Sequence, residues 1–424
     1  MTDRERQWIE VATAVQPHLV ELVGSKDART MGAAIAALLE AARAGSLVAG
    51  RLKALLQSAP ATAEWVSTFL AEKREGRRAE RAITRRSAAA PPEDQRNEYA
   101  VVQVFFGTDR SKTGDAAPGR YYGGKRGALS YGVADVSIPR DHRMGALEAP
   151  ALWRLEFRNN PAKHVVLLHL DPLEKDAFVT RVGAGVAGSP TRDALMFVHG
   201  YNVSFEDAAR RTAQISYDLG FSGIPLLYSW PSEGATLRYS VDENNVRWTV
   251  PHFTEFLKLV LTQIGSRVVH VIAHSMGNRC LTEALRTFDP ASLGEGSAAL
   301  GQVIFAAPDI DSETFVDLAR EFRRQTSRFT LYASSTDLAL LASKAVNGYP
   351  RAGDAGPGLV IADGIDTVDA TLVDTNLVGH SYIGQNDSIL ADVFDLLKDG
   401  RAPGERFRLA ARQRSGKQYW YFKQ

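Results

Sequence analysis

The sequence has one cysteine, no long apolar run and no excess of either charge. With Cys280 alone among 424 residues, an internal disulfide and a metal site built on several cysteines are excluded. Lys and Arg number 50 against 49 Asp and Glu, so net charge does not favour a nucleic acid or an acidic substrate as partner. No stretch reaches the roughly 20 apolar residues of a membrane span, and the charged start MTDRERQW lacks the pattern of a leader peptide. We therefore expect a cytoplasmic protein without a membrane span, and Cys280 as buried apolar filler.

Composition changes along the chain predict four regions. Residues 1–75 carry apolar residues at helical spacing and no strand pattern, which predicts an N-terminal helical region. Residues 76–97 are rich in arginine and include Pro91-Pro92; without interleaved aromatic residues they indicate a solvated linker rather than a nucleic-acid or lipid patch. Residues 98–402 form the main domain, and residues 403–424 form an aromatic C-terminal tail that we expect to pack back on it.

The main domain has the pattern of an α/β fold. VVQVFFGTDR, YGVADVSIP and HVVLLHLDPL predict strands with no helix between them, which is typical of a partly antiparallel leading section. From residue 194 onward, strands and helices alternate. Ser204 with Asp207 three residues later is a helix-start pattern, and Pro251 and Gly265 bracket another helix. This alternation predicts a mostly parallel sheet with helices on both faces.

The segment VVHVIAHSMGNRC, residues 268–280, predicts a strand that turns sharply into a helix at Ser275. Mostly branched apolar residues precede the turn, and apolar residues at helical spacing follow it. The small residues Ala273 and Gly277 let strand and helix approach each other. Such an elbow presents a serine hydroxyl at a helix N-terminus, where a developing negative charge is favoured. Ser275 is the candidate nucleophile, and the alternative is an ordinary turn with a capping serine.

A serine nucleophile needs a base that takes its proton. Of nine histidines, His380 in LVGHSYIG is the one that lies downstream of Ser275 in a loop after the last predicted strand. His270 and His274 fall in the strand and at its corner, where we expect structural roles. His380 is therefore the predicted base.

The acid that orients this base is expected after a strand between Ser275 and His380. Asp337, after RFTLYASST, fits this position best. Asp309 and Asp311, after VIFAAP, fit next best, and one of them could instead cap the following helix.

The remaining requirement is a pair of N–H donors for an oxyanion. FVHGYN, residues 197–202, turns open directly after a predicted strand. The predicted donors are the backbone N–H groups of Tyr201 and of Met276, the residue after the nucleophile. His199, before Gly200, is expected to serve this site through backbone geometry.

The order VHGYN, AHSMGN, a later acid and GHSY resembles the alpha/beta-hydrolase superfamily. FFGTDR, WPSEG, APDID and GHSYIG are similar to a little-characterised bacterial branch of it with no agreed substrate. The resemblance covers residues 100–400 and departs from the commonest elbow at Ala273, where glycine is usual. It implies ester-type hydrolysis through an acyl-serine intermediate, without implying which ester.

Substrate binding is expected from the loop after LLYSW, where Trp230, Tyr239 and Trp248 would line an apolar acyl pocket, and from a glycine-rich lid at residues 347–364. No metal or cofactor is expected, because the histidines lack ligand spacing. The predicted activity is that of a serine carboxylic-ester hydrolase acting on a small-molecule ester. The alternative is a recruitment or scaffold protein whose N-terminal helices bind a protein partner or a second copy of the chain.

Overall fold

The structure of the chain is a computed structural model that describes residues 98–148, 159–233, 239–322, 328–335, 349–371, 373 and 387–423. The predicted helical region 1–75 and linker 76–97 lie outside these residues, so both stay predictions. Asp337 and His380 also lie outside them.

Strands and helices alternate along most of the described chain. The strands are β1 (Tyr99–Lys112), β2 (Tyr122–Pro139), β3 (Val166–Leu173), β4 (Asp193–Val198), β5 (Ile224–Ser229), β6 (Val268–His274), β7 (Ala299–Ala306), β8 (Arg328–Ala333), β9 (Ile365–Asp369), β10 (Leu409–Arg414) and β11 (Lys417–Phe422). The α-helices are α1 (Lys175–Gly188), α2 (Phe205–Asp218), α3 (Tyr239–Trp248), α4 (Val250–Gln263), α5 (Gly277–Thr287), α6 (Ser312–Phe322) and α7 (Asp387–Asp399).

The eleven strands of the described chain form one sheet in the order β10-β11-β9-β8-β7-β6-β4-β5-β1-β2-β3. From β1 to β11, through β5, β4, β6, β7, β8 and β9, neighbouring strands are parallel. The pairs β1–β2, β2–β3 and β10–β11 are antiparallel. The predicted mostly parallel sheet with a partly antiparallel leading section is confirmed.

Both faces of the sheet are covered, and β4 shows why its sequence is apolar from Ala194 to Val198. Ala194, Met196 and Val198 pack into the cluster on one face, together with residues of α1, α4, α5 and α6. Leu195 and Phe197 pack into the cluster on the other face, with residues of α2 and α7. A strand buried on both faces has no polar side to alternate with. Each large side chain buried in this way contributes roughly 1.5–3 kcal/mol to the hydrophobic stabilisation.

Local start signals position two of the helices. The Ser204 hydroxyl accepts a hydrogen bond of 3.1 Å from the Asp207 N–H and caps α2, as predicted. Pro251 lies in the first turn of α4, where its missing N–H costs nothing, and Gly265 follows that helix with a φ of +72°.

Three features differ from the sequence prediction or extend it. Residues 175–188, for which no helix was predicted, form α1 and cover one face of the sheet. The predicted binding loop from Tyr239 to Trp248 is helix α3. The C-terminal tail supplies β10 and β11, and the parallel pairing of β11 with β9 joins it to the sheet, so the boundary predicted at residue 402 does not separate two units.

The described part of the predicted lid, residues 349–364, is tied to the domain by backbone hydrogen bonds. Ala352 N–H donates to Ile310 O at 2.8 Å, and Gly353 N–H donates to Pro308 O at 2.9 Å. Residues 351–355 are buried. This part of the predicted lid is therefore held against the domain in this structure, and a lid movement stays a prediction.

A buried histidine clamps the loop after β2 to α2. The His142 ring is 3% exposed and contacts Glu148 at 2.8 Å and Asp218 at 2.7 Å. Burial alone would lower the pKa of His142, but the hydrogen bonds to Asp218 and Glu148 outweigh burial and raise it to about 9. The imidazolium is thus part of the folded structure at neutral pH.

Candidate active site

Ser275 occupies a strained turn between β6 and α5. Its φ is +49°, a left-handed conformation that costs a residue with a Cβ roughly 1–2 kcal/mol. Hydrogen bonds hold it there: Ser275 N–H donates to Ala306 O at 2.9 Å, and Ser275 O accepts from the N–H groups of Asn278 and Asp309, both at 3.2 Å. Strain that the surroundings enforce in this way is typical of functional positions.

The elbow depends on the glycine predicted for it. A Cβ on Gly277 would lie 2.3 Å from His199 O, so only glycine lets α5 start against the end of β4. The capping alternative for Ser275 is not supported. The N-cap of α5 is Met276, and within the described residues the Ser275 hydroxyl makes no hydrogen bond.

The turn after β4 packs directly against this elbow. A Cβ on Gly200 would lie 2.7 Å from His274 Nδ1 and 3.0 Å from Ser275 Cβ, so the backbone of the turn passes beside the serine. Tyr201, the predicted oxyanion donor, follows Gly200 in this turn. Met276, the second predicted donor, bonds through its N–H to no backbone carbonyl of the described chain. Met276 thus adjoins Ser275 in the chain, and Tyr201 follows the glycine that packs against Ser275.

Burial keeps the pKa values of the three histidines near the elbow, His199, His270 and His274, below the ordinary value. His199 is fully buried, and burial together with the Arg110 guanidinium holds its pKa well below the ordinary value. Burial lowers the pKa of His274 to about 3, and its Nδ1 has no hydrogen-bond partner among the described residues. His270 Nδ1 accepts from Gln302 N–H at 3.0 Å, and burial lowers its pKa to about 4.

The carboxyl ends of β8 and β9, from which the segments containing residues 337 and 380 leave, are joined to each other. Ala370 N–H donates to Ala333 O at 2.7 Å, and Ser335 N–H donates to the Thr371 hydroxyl at 3.0 Å. These strands follow β7, which neighbours β6, so their carboxyl ends lie on the edge of the sheet that carries Ser275.

Asp309, the alternative acid, lies beside the elbow in a dense polar cluster. Its carboxylate is 2% exposed and accepts a hydrogen bond of 2.7 Å from the Tyr239 hydroxyl. Arg279 lies 3.4 Å and Arg351 3.3 Å from its two oxygens. Asp309 therefore binds α3 and α5 to the loop after β7.

The two predicted substrate-binding residues are placed differently. Trp230 is fully buried, stacks on His199 with ring centroids 5.0 Å apart, and donates to His199 O at 2.8 Å. It supports the turn from behind and lines no open pocket, so that expectation is wrong. Tyr239 is half-buried at the start of α3, and its ring lies 5.4 Å from that of Tyr201. Cys280 is buried, and burial raises the pKa of its thiol.

Sequence reasoning missed three polar residues behind the turn: Arg110, Ser232 and Asp242, all buried. Arg110 belongs to FFGTDR and Ser232 to WPSEG. Both motifs contribute to the family resemblance, but the sequence alone predicts no role for these two side chains. A charged residue inside a strand motif is the signal that could have identified Arg110, because such residues are rarely buried without partners.

The described residues include no group of three His, Cys, Asp or Glu side chains arranged to hold a metal ion. Of the helices that the structure describes, none is both long enough and apolar enough to cross a membrane.

Comparison with known proteins places the chain in a family. No curated protein shows significant similarity to it. A solved structure from Lactobacillus plantarum WCFS1, provisionally described as a cell surface hydrolase, is 14% identical with a TM-score of 0.31 over 50% of this chain and 94% of that one, a likeness too low to carry an argument. Residues 174–397 match the model of a family described as "Alpha/beta hydrolase of unknown function (DUF900)". The chain, with its mostly parallel sheet and helices on both faces, therefore belongs to this family of alpha/beta hydrolases.

Proposed function

We propose that this alpha/beta hydrolase is a serine carboxylic-ester hydrolase whose nucleophile is Ser275. The observation that carries the proposal is the left-handed φ of +49° at a serine between β6 and α5, with the turn after β4 packed against it. An ordinary connection has no need of a non-glycine residue in this conformation. A nucleophile elbow does, because the conformation turns the hydroxyl outward at the helix N-terminus.

The proposed mechanism uses His380 as base and Asp337 as the acid that orients it. Ser275 Oγ attacks the ester carbonyl while His380 takes its proton, and the Tyr201 and Met276 N–H groups stabilise the oxyanion. His380 then protonates the leaving alcohol and activates water for deacylation. The joined ends of β8 and β9 support this assignment, since they start both segments at the edge that carries Ser275.

The surroundings of four described histidines argue against them as the base. Burial lowers the pKa of His274 to about 3, so its ring is a weak proton acceptor. His199 uses both ring nitrogens in hydrogen bonds, His270 accepts a backbone N–H, and His142 lies between two carboxylates. A base must have a nitrogen available to the serine hydroxyl. The substrate class in this proposal is a small-molecule ester with an apolar acyl group.

The experiment is labelling with a fluorophosphonate probe together with hydrolysis of p-nitrophenyl esters of two to eight acyl carbons. Ser275→Ala should abolish labelling and lower kcat at least about 10⁴-fold. Ser266→Ala, which truncates a buried serine at the opposite end of β6, is the matched control and should retain both. An unlabelled, inactive wild-type chain would refute the proposal and favour the scaffold role.

A second pair of variants decides the acid. Asp337→Asn should lower kcat by about 10⁴-fold with little change in melting temperature. Asp309→Asn should lower the melting temperature, because it weakens the contacts with Tyr239, Arg279 and Arg351, while kcat falls less than about tenfold. The reverse pattern in kcat would assign the acid to Asp309.

A further inference from the structure

Arg110, at the end of β1, is a buried arginine with every N–H donor in use. It is 2% exposed, although none of its hydrogen-bond partners among the described residues is a carboxylate. Its acceptors are Ser229 Oγ (2.8 Å, from Nε), Gly123 O and Ser232 O (3.1 and 2.7 Å, from Nη1), and His199 Nε2 and Val203 O (3.2 and 2.7 Å, from Nη2). A guanidinium with all five donors satisfied is fixed in position.

This arrangement determines the protonation of His199. Because a guanidinium can only donate, His199 Nε2 must carry a lone pair. The proton of the neutral ring is then on Nδ1, which donates to Gly200 O at 2.8 Å. Trp230 stacks on the ring and bonds the His199 carbonyl, so the ring cannot rotate away.

The hydrogen bond from His199 Nδ1 is accepted by Gly200 O, which belongs to the same peptide as the Tyr201 N–H, the proposed oxyanion donor. The carbonyl of Gly200 and the N–H of Tyr201 form one planar trans peptide and point in opposite directions. A bond that fixes the carbonyl therefore fixes the direction of the N–H. It also polarises the peptide, which makes the N–H a stronger donor.

A buried carboxylate holds the far side of the same turn. Asp242, in α3, accepts from Asn202 N–H at 3.3 Å and from the Ser232 hydroxyl at 2.5 Å. Ser232 Oγ in turn accepts from Val203 N–H at 3.1 Å, and its carbonyl accepts from Arg110. The turn is thus held between the buried side chains of Arg110 and Asp242, both of which form a hydrogen bond with Ser232.

We propose that Arg110 and His199 are positioning residues that aim the Tyr201 N–H at the oxyanion, through a relay from the guanidinium to the imidazole to the Gly200–Tyr201 peptide. The catalytic part of this inference rests on the proposed function. It gives FFGTDR, WPSEG and HGYN one shared task, since Arg110, Ser232 and His199 come from these three motifs. None of these side chains contacts the substrate in the proposal.

The kinetic test uses p-nitrophenyl butyrate. Arg110→Met and His199→Phe should lower kcat about 10- to 100-fold with little change in KM, because the oxyanion exists only after attack on the carbonyl. His199→Asn, whose side-chain amide can still donate to Gly200 O, should retain more activity than His199→Phe. Arg211→Met is the matched control: Arg211 is buried in α2 and donates to Gln214 and Gly145, outside the turn, so its loss should lower stability but not kcat. Equal kcat losses in Arg110→Met and Arg211→Met would overturn the inference.

A second readout does not depend on activity. In ¹⁵N spectra of histidine-labelled wild-type protein, His199 should show an unprotonated Nε2 and a protonated Nδ1 from pH 5 to 8. His199→Phe should remove a single such signal set, which assigns that set to His199. A protonated Nε2, or titration of His199 near its ordinary pKa, would refute the relay even in a fully active enzyme. Conversely, a wild-type chain that takes no fluorophosphonate but shows the expected tautomer would refute the proposed function and leave the relay as a device that shapes the turn.

Discussion

The strained φ of Ser275 predicts that replacing this serine by glycine stabilises the protein relative to replacing it by alanine. Both substitutions remove the hydroxyl, so both should abolish labelling and turnover. They differ in the Cβ, which alanine keeps and glycine lacks. At a φ of +49° the Cβ crowds its own backbone, whereas glycine adopts this conformation freely.

The size of the difference follows from two opposing contributions. Relief of the left-handed strain favours glycine by roughly 1–2 kcal/mol. The greater freedom of glycine in the unfolded chain opposes this by about 0.5–1 kcal/mol. Ser275→Gly should therefore be about 1 kcal/mol more stable than Ser275→Ala, a difference of about 2 °C in melting temperature.

The assay is thermal unfolding of the two variants side by side, followed by circular dichroism. Ser216→Gly and Ser216→Ala, inside α2, are the matched controls. Their difference in melting temperature should have the opposite sign, because glycine in a helix interior is about 1 kcal/mol less favourable than alanine. The expected order is thus Gly above Ala at position 275 and Ala above Gly at position 216. If Ser275→Gly melts at or below Ser275→Ala, the elbow stores no strain and the main support for the nucleophile is lost.

Two further predictions concern packing and pH. Gly277→Ala should destabilise the protein by about 1–3 kcal/mol and reduce fluorophosphonate labelling, because the new Cβ would lie 2.3 Å from His199 O. Gly183→Ala in α1, where the nearest atom would be 3.6 Å from the new Cβ, is the control and should be neutral or stabilising. Equal melting temperatures for the two variants would contradict this prediction. Since the pKa of His142 is raised from 6.5 to about 9, its contribution of up to about 3 kcal/mol is complete below pH 6.5 and is lost as pH rises from 6.5 to about 9. Urea unfolding between pH 6 and 10 measures this slope, which His142→Gln should flatten; an unchanged slope in that variant would exclude the clamp.

Much of the fold follows from local patterns in the sequence. The strands of the main domain and most of its helices are predicted because burial on one or two faces leaves a periodic apolar pattern, as in β4 and α4. The elbow is predictable for the same reason, together with Ala273 and Gly277. Helix α1 was missed because its apolar residues, such as Phe178 and Val182, are separated by glycines and polar residues that give only a weak amphipathic pattern.

Tertiary structure alone decided how the elbow is supported. Arg110, Ser232 and Asp242 are far apart in sequence and meet only because β1 and β5 are neighbours and α3 packs over their ends. The burial of Trp230 against His199 depends on the same strand order, which no local pattern encodes. Local periodicity reports which face of a segment is buried, whereas the partner that buries it is chosen by contacts between distant segments. The sequence by itself therefore determined the strand, the turn and the serine of the elbow, and the tertiary structure decided which buried charges hold the turn beside it.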